Sequence, residues 1–260
     1  MSSLFTTIIL QPILNLLVWL YDVVPGQDIG LAIILLTIIV KVLLYPLTLA
    51  QIRQQRALQD IQPKIEEIRK RLKDDKEKQA SELMALYAKE KVNPASSCLP
   101  LLIQLPVFIG LYRALSIGLE SGSLNLLYSF VPNPQHINTM FLGIFDLTHP
   151  NYFLAVAAGL IQFVQTKQIL KPPAATITPP PKEVADSPGA KDESMTAIMN
   201  KQMTYMMPIV TVIIGFKLPG GLTLYWLVMS LLTVVQQWWV MKRIPGKTVS
   251  IVSDVPKASA

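Results

Sequence analysis

Five apolar runs constrain this chain more than any other feature. They fall near residues 29–50, 97–118, 150–170, 202–218 and 221–241, and each is long enough to cross a hydrocarbon core of about 30 Å as a helix. Hydrocarbon offers the backbone no hydrogen-bond partner, and a helix satisfies its own amides within one segment. The expected fold class is therefore all-α, a polytopic membrane protein. Composition agrees: 15% of the 260 residues are charged, where a soluble domain carries about 25%. Only Pro219 to Gly221 separate the last two runs, so residues 202–241 read as a tight hairpin of spans. The single cysteine, Cys98, cannot form an internal disulfide and reads as a packing residue at a helix start. No internal repeat is visible.

Charge sets the expected orientation. Of the 23 basic residues, eleven lie in 51–96, five in 167–201 and four from Lys242 onward. None lies in 1–28 or 119–149. Basic loops stay on the cytoplasmic side. The N-terminus is thus expected outside, the C-terminus and the loop 51–96 in the cytoplasm, and 119–149 outside. The +6 net charge is largely this topological signal, and no specific nucleic-acid site is expected. Residues 1–28 admit two readings. Thr7, Gln11, Asn15 and Asp22 share a helical face, which fits an extracytoplasmic amphipathic helix lying in the interface with Trp19 and Tyr21 at headgroup depth. A sixth span is the rival reading. A cleaved signal peptide does not fit, because no basic n-region precedes the apolar residues.

The first run, "LAIILLTIIVKVLLYPLTLAQ", places Lys41 inside it. A charge left in lipid costs about 2.5–3.5 kcal/mol on insertion scales. A straight helix through residue 50 would leave about 14 Å beyond Lys41 at 1.5 Å per residue, too far for the stem to carry its head to the interface. All 17 Asp and Glu residues lie outside the five runs. No carboxylate at that depth can pair with the amine, so either water reaches it or it is neutral. Polar and small residues repeat at helical spacing on the other runs. Thr37, Lys41, Tyr45 and Thr48 line one face of the first; Ala155, Ala158, Gln162 and Gln165 one face of the third; Thr204, Pro208, Thr211 and Gly215 one face of the fourth; Thr223, Trp226, Ser230, Thr233 and Gln237 one side of the fifth. The second run adds Gln104, with Pro100 and Phe108. One such stripe packs helices together. Stripes on four runs, together with a charge, favour a shared wet cavity, and the candidate lining is Lys41, Thr37, Tyr45, Gln104, Gln162, Thr211, Thr223, Trp226, Ser230 and Gln237. Arg113 and Lys217 lie near outer ends and can snorkel outward. His136 and His149 have no metal-ligand spacing around them, so no metal and no cofactor is expected.

Residues 51–96 are charged yet periodic. Leu58, Ile61, Ile65, Ile68 and Leu72 repeat at spacings of a coiled-coil seam, and Ala80, Leu83 and Tyr87 resume it after "KDDKEK". This predicts a cytoplasmic helical hairpin, with Pro63 kinking or restarting its first helix. Residues 171–201 are Pro-rich and polar and are expected to be disordered, as is the tail 242–260. Met195, Met199, Met203, Met206 and Met207 form a cluster suited either to adaptable apolar contacts or to ordinary helix packing.

The chain resembles the YidC/Oxa family of membrane protein insertases. The resemblance runs over residues 12–243, through "GLAIILLTIIVKVLLYPLTLAQ", "IQPKIEEIRKRL", "NPASSCLPLLIQLPVFIGLYRAL", "MPIVTVIIGFKLPGGLTLYW" and "QQWW". It implies five transmembrane helices around a hydrophilic groove that opens toward the cytoplasm and the lipid and is closed outside. It also implies a bacterial plasma (inner) membrane location, insertion of nascent membrane proteins and chaperone-like help in their folding as the activity, and the ribosome, signal recognition components and a Sec translocon as partners beside the lipid bilayer. Lys41 stands where the family usually carries arginine, which keeps the charge but loses the planar donor fork. No large folded domain is expected before the core, since only "DVVPGQD" joins the first helix to the first span. Two other classes compete. A small-solute transporter or channel would explain a cavity, but no paired ionisable residues or inverted repeat are visible. An intramembrane enzyme would need motifs such as H-E-x-x-H or G-x-S-x-G, and the chain has neither.

Overall fold

A computed structural model describes residues 3–93, 99–119, 126–134, 136–170 and 204–243. The Pro-rich loop 171–201, the tail beyond Arg243, Cys98, and Met195, Met199 and Met203 lie outside the described residues.

Helix α1 (Thr6–Val23) is long and apolar enough to cross a membrane. Its first turn, Thr6–Leu10, has π geometry. The polar face expected to meet water is partly internal. Asn15 is buried, and its amide donates to Leu126 O at 2.9 Å while its carbonyl accepts from Tyr128 N at 2.6 Å. Tyr21 accepts from Asn138 N at 2.7 Å. These bonds fasten α1 to the segment from Leu126 to Asn138.

Helix α2 (Ile29–Leu43) begins at Asp28, whose Oδ1 accepts from Gly30 N at 2.7 Å and Leu31 N at 3.0 Å. Helix α3 (Tyr45–Asp60) follows after one residue, Leu44, and its axis turns by 67°. The single straight span expected over 29–50 is thus a bent pair. Pro46 has no N–H to donate to Val42, so the first ladder cannot run through, and its ring suits the first turn of a new helix. Alone, α2 is about 22 Å long at 1.5 Å per residue.

Helices α4 (Gln62–Arg71) and α5 (Lys76–Lys89) fold back on each other. Ile61, Ile65, Leu86 and Val92 are buried between them, with Leu58, Ile68, Leu83 and Tyr87 packed around. Pro63 lies in the first turn of α4 and restarts the helix after the break at Ile61. Lys64–Glu90 (2.7 Å) and Arg71–Glu82 clamp the pair, and Asp75 caps α5 through Lys78 N at 3.0 Å.

Helix α6 (Leu99–Leu119) packs against α1. A two-stranded hairpin follows, β1 (Met140–Phe141) and β2 (Phe145–Asp146), antiparallel with Met140 opposite Asp146. It sits on the start of α2: the Phe141 ring occupies the space a Cβ on Gly30 would need, and Asp28 Oδ2 accepts from Leu142 N at 2.6 Å. Helix α7 (Tyr152–Leu170) carries α8 (Thr204–Gly215) and α9 (Gly220–Arg243) against it. The start of α9 is tied to the loop before α7 by Gly220 N to His149 O (2.9 Å) and Gly221 N to Leu147 O (3.0 Å). A side chain at 220 would press on His149 O at 3.0 Å, which explains glycine there.

By length and composition α1 and α9 each suffice to cross a membrane, and the bent pair α2–α3 makes a third. Segments of α6 and α8 are apolar but shorter. The main core joins α1, α2, α6, α7 and α9 through Leu14, Leu17, Ile33, Leu36, Leu111, Leu154 and Leu222. It gathers at the end where α2 and α9 begin, and Lys41, Thr48, Thr233 and Gln236 lie beyond it along these helices.

Candidate functional site

Two helices position the site. The last turn of α2 carries Lys41, and α9 passes beside it. Lys41 Nζ donates to Thr233 Oγ1 at 2.8 Å. Thr233 donates its own proton to Met229 O at 2.7 Å, one turn back on α9. With that proton engaged, a hydroxyl lone pair is left facing the ammonium. Among the described residues Thr233 is the polar partner of this lysine, and no carboxylate pairs with it. The end of α2 helps as well, because the negative pole of a helix dipole lies at its C-terminus and favours a cation in the last turn. One turn further along, Gln236 Nε2 donates to Thr48 Oγ1 at 2.8 Å. The polar face of α2–α3 thus meets the polar face of α9.

The ten candidate residues fall into two sets. Thr37, Thr211, Thr223, Ser230 and Gln237 are buried. Thr37 is fully enclosed and its hydroxyl returns to Ile33 O at 2.6 Å, while Thr223 returns to Pro219 O at 3.3 Å. These two hydroxyls satisfy their own helices and act as packing residues. Lys41, Tyr45, Gln104, Gln162 and Trp226 keep part of their surface open. Gln104 donates to the Tyr225 hydroxyl, tying α6 to α9. Trp226 stands edge-on to Phe108, centroids 6.0 Å apart.

Thr233 and Gln236 carry more of the site than their places in the sequence suggest. Each is one polar residue on a striped helix, and only the approach of α2 and α3 from 188 or more positions away selects them. The middle of α3 and the C-terminal halves of α7 and α9 also hold enclosed glutamine atoms without a protein partner among the described residues: Gln51 Nε2, Gln54 Oε1, Gln168 Oε1, Gln236 Oε1 and Gln237 Oε1. Arg113 and Lys217 are exposed, and Met206 and Met207 are about half exposed. His149 lies 4.0 Å from Asp146, and no group of three metal-ligating side chains occurs among the described residues.

A helical assembly with apolar spans, a bent helix pair and a lysine at the bend is that of a polytopic membrane protein. The family model described as the 60Kd inner membrane protein matches residues 19–247, and the chain belongs to this YidC/Oxa family. Relatives named "Membrane protein insertase YidC" include one from Fusobacterium nucleatum, 31% identical over 82% of this chain and 86% of its own length. Another, from Shewanella halifaxensis, is 37% identical over 87% of this chain and 35% of its own length. A third, from Nitratidesulfovibrio vulgaris, is 32% identical over 90% of this chain. The chain spans 39% of the length of that third relative.

Proposed function

We propose that this protein is a membrane protein insertase of the inner membrane, which receives segments of newly made membrane proteins in a hydrophilic groove around Lys41. Five spans form it in this reading: α2 with the first turns of α3, then α6, α7, α8 and α9. Helix α1 lies in the outer interface or adds a sixth span, and the α4–α5 hairpin projects into the cytoplasm. The ribosome, signal recognition components and a Sec translocon are proposed partners. The reading involves no chemical catalysis.

The observation that carries the reading is Lys41 at the bend, held by a neutral hydroxyl with no carboxylate partner among the described residues. A cation so placed leaves its counter-charge to be supplied by a visitor. The five enclosed glutamine atoms support it too. An enclosed polar group without a partner costs about 1–3 kcal/mol, and water or a client's backbone would remove that cost. A hydrated groove reaching Lys41 shortens the dry path for a polar client segment to less than the full ~30 Å core. The amine attracts acidic residues of that segment. The client's apolar residues then enter lipid, at about 25 cal/mol for each Å² removed from water. The apolar core around Leu36, Leu111 and Leu222 would close the outer end.

The test is reconstitution in vesicles with a single-span client, scored by protection of its translocated end from protease. Lys41→Arg should insert normally, whereas Lys41→Glu should fail with clients bearing an acidic translocated end. Full insertion by the glutamate variant refutes the role given to this charge. A transporter or channel, the other class that would use a polar cavity, predicts solute flux in the same vesicles without any client.

A further inference from the structure

The last six residues of helix α9, Trp238 to Arg243, hold two matched pairs. Lys242 Nζ lies 4.9 Å from the ring centre of Trp238, and the Arg243 guanidinium lies 3.7 Å from that of Trp239. Each pair is four residues apart, which puts cation and ring on one helical face. The rings are not packed away: Trp238 is 57% exposed and Trp239 41%. Both cations are exposed, and neither forms an ion pair among the described residues.

Distance along the helix places this group. From Gly220, where α9 is tied to the loop before α7, Trp238 is about 27 Å away and Lys242 about 33 Å, at 1.5 Å per residue. The hydrocarbon core is about 30 Å thick. The rings therefore reach the far boundary of the core and the cations lie just beyond it, at the depth of lipid phosphates. Indole suits that boundary, with an apolar body and one N–H donor. A ring beneath the guanidinium occupies one of its faces and leaves the N–H edge for phosphate oxygens.

We propose that the end of α9 is a binding site for anionic phospholipid, in which Trp238 and Trp239 hold the acyl–glycerol region and Lys242 and Arg243 hold the phosphate. The site rests on the membrane reading above and is independent of insertion activity. Charge complementarity selects the occupant. Two adjacent cations without a counter-ion among the described residues favour a lipid of net negative charge over a zwitterion, whose own ammonium they would repel. Nucleic acid would need the tryptophans in water, not at the edge of hydrocarbon.

The full chain carries four tryptophans, so W19F/W226F leaves only the pair at this site. This variant is placed in mixed vesicles containing either brominated phosphatidylglycerol or brominated phosphatidylcholine at equal mole fraction, and quenching of tryptophan emission is measured. Phosphatidylglycerol should quench more strongly, with a local enrichment on the order of fivefold from the charge of a basic residue near anionic lipid. K242Q/R243Q should bring the two lipids to equal quenching, and K242R/R243K should keep the preference. Equal quenching in the parent, or a preference that survives K242Q/R243Q, overturns the site. Quenching by neither lipid overturns the membrane placement of this helix end and the site with it, whereas loss of insertion activity leaves the result untouched.

Discussion

Replacing Thr233 with valine tests whether its hydroxyl holds the charge at the bend. Valine keeps the shape and removes the acceptor 2.8 Å from Lys41 Nζ. A hydrogen bond to a charged group contributes about 1.5–3 kcal/mol, whereas a neutral interhelical bond in a membrane averages about 0.6 kcal/mol. Lys41 keeps part of its surface open, so water can replace some of what is lost, and the expected coupling sits at the low end, about 1.5 kcal/mol. Valine also removes the bond from Thr233 to Met229 O, a contribution independent of Lys41. A double-mutant cycle with Lys41→Met separates the two, because only the ammonium's share vanishes in the methionine background. The assay is equilibrium unfolding in mixed micelles titrated with dodecyl sulfate. Thr233→Ser should retain most of the stability. Equal cost of Thr233→Val in both backgrounds would show that the hydroxyl does not hold the lysine, and the positioning argument would fall.

Other outcomes follow from the same contacts. Asp28→Ala removes the cap of α2 and leaves the Leu142 amide without its acceptor; it should cost about 2–3 kcal/mol in the same unfolding assay, with Asp28→Asn intermediate. Gly30→Ala should cost about 1–3 kcal/mol through overpacking against Phe141, and an unchanged midpoint would mean the hairpin does not rest there. In a Cys98→Ser background, cysteines at Tyr45 and Gln162 should react with a water-soluble maleimide and a cysteine at Thr37 should not; labelling at 37 alone would invert the proposed lining. Thr148, through its hydroxyl and its amide, holds the Asp146 carboxyl below the usual carboxylate range. The folded state thus binds this proton less readily than the unfolded chain, so the stabilisation is present above the ordinary carboxylate pKa and is lost as pH falls through the depressed value. Asp146→Asn should flatten that part of the acid unfolding profile.

Local pattern and composition carried much of the architecture. The apolar runs located α6, α7, α8 and α9, and the heptad spacing from Leu58 to Ile68 located the seam that α4 and α5 bury. Lys41 stood out because no carboxylate occurs in any of the runs. These are properties of single segments, set by periodicity and by the cost of burying charge. The bend at Leu44 was half legible: Pro46 marks a break in the ladder, but its 67° angle depends on what α3 packs against. Pairing across the chain was not legible at all. Lys41 meets Thr233 and Thr48 meets Gln236 because α9 lies against α2 and α3. Asp28 caps a helix and also holds a strand hairpin 114 residues away. A stripe of polar residues states which face of a helix is polar, not whether that face meets water or another helix. Only tertiary packing decided that Thr37 is enclosed, its hydroxyl returned to Ile33 O, while Lys41, one turn later, keeps part of its surface open.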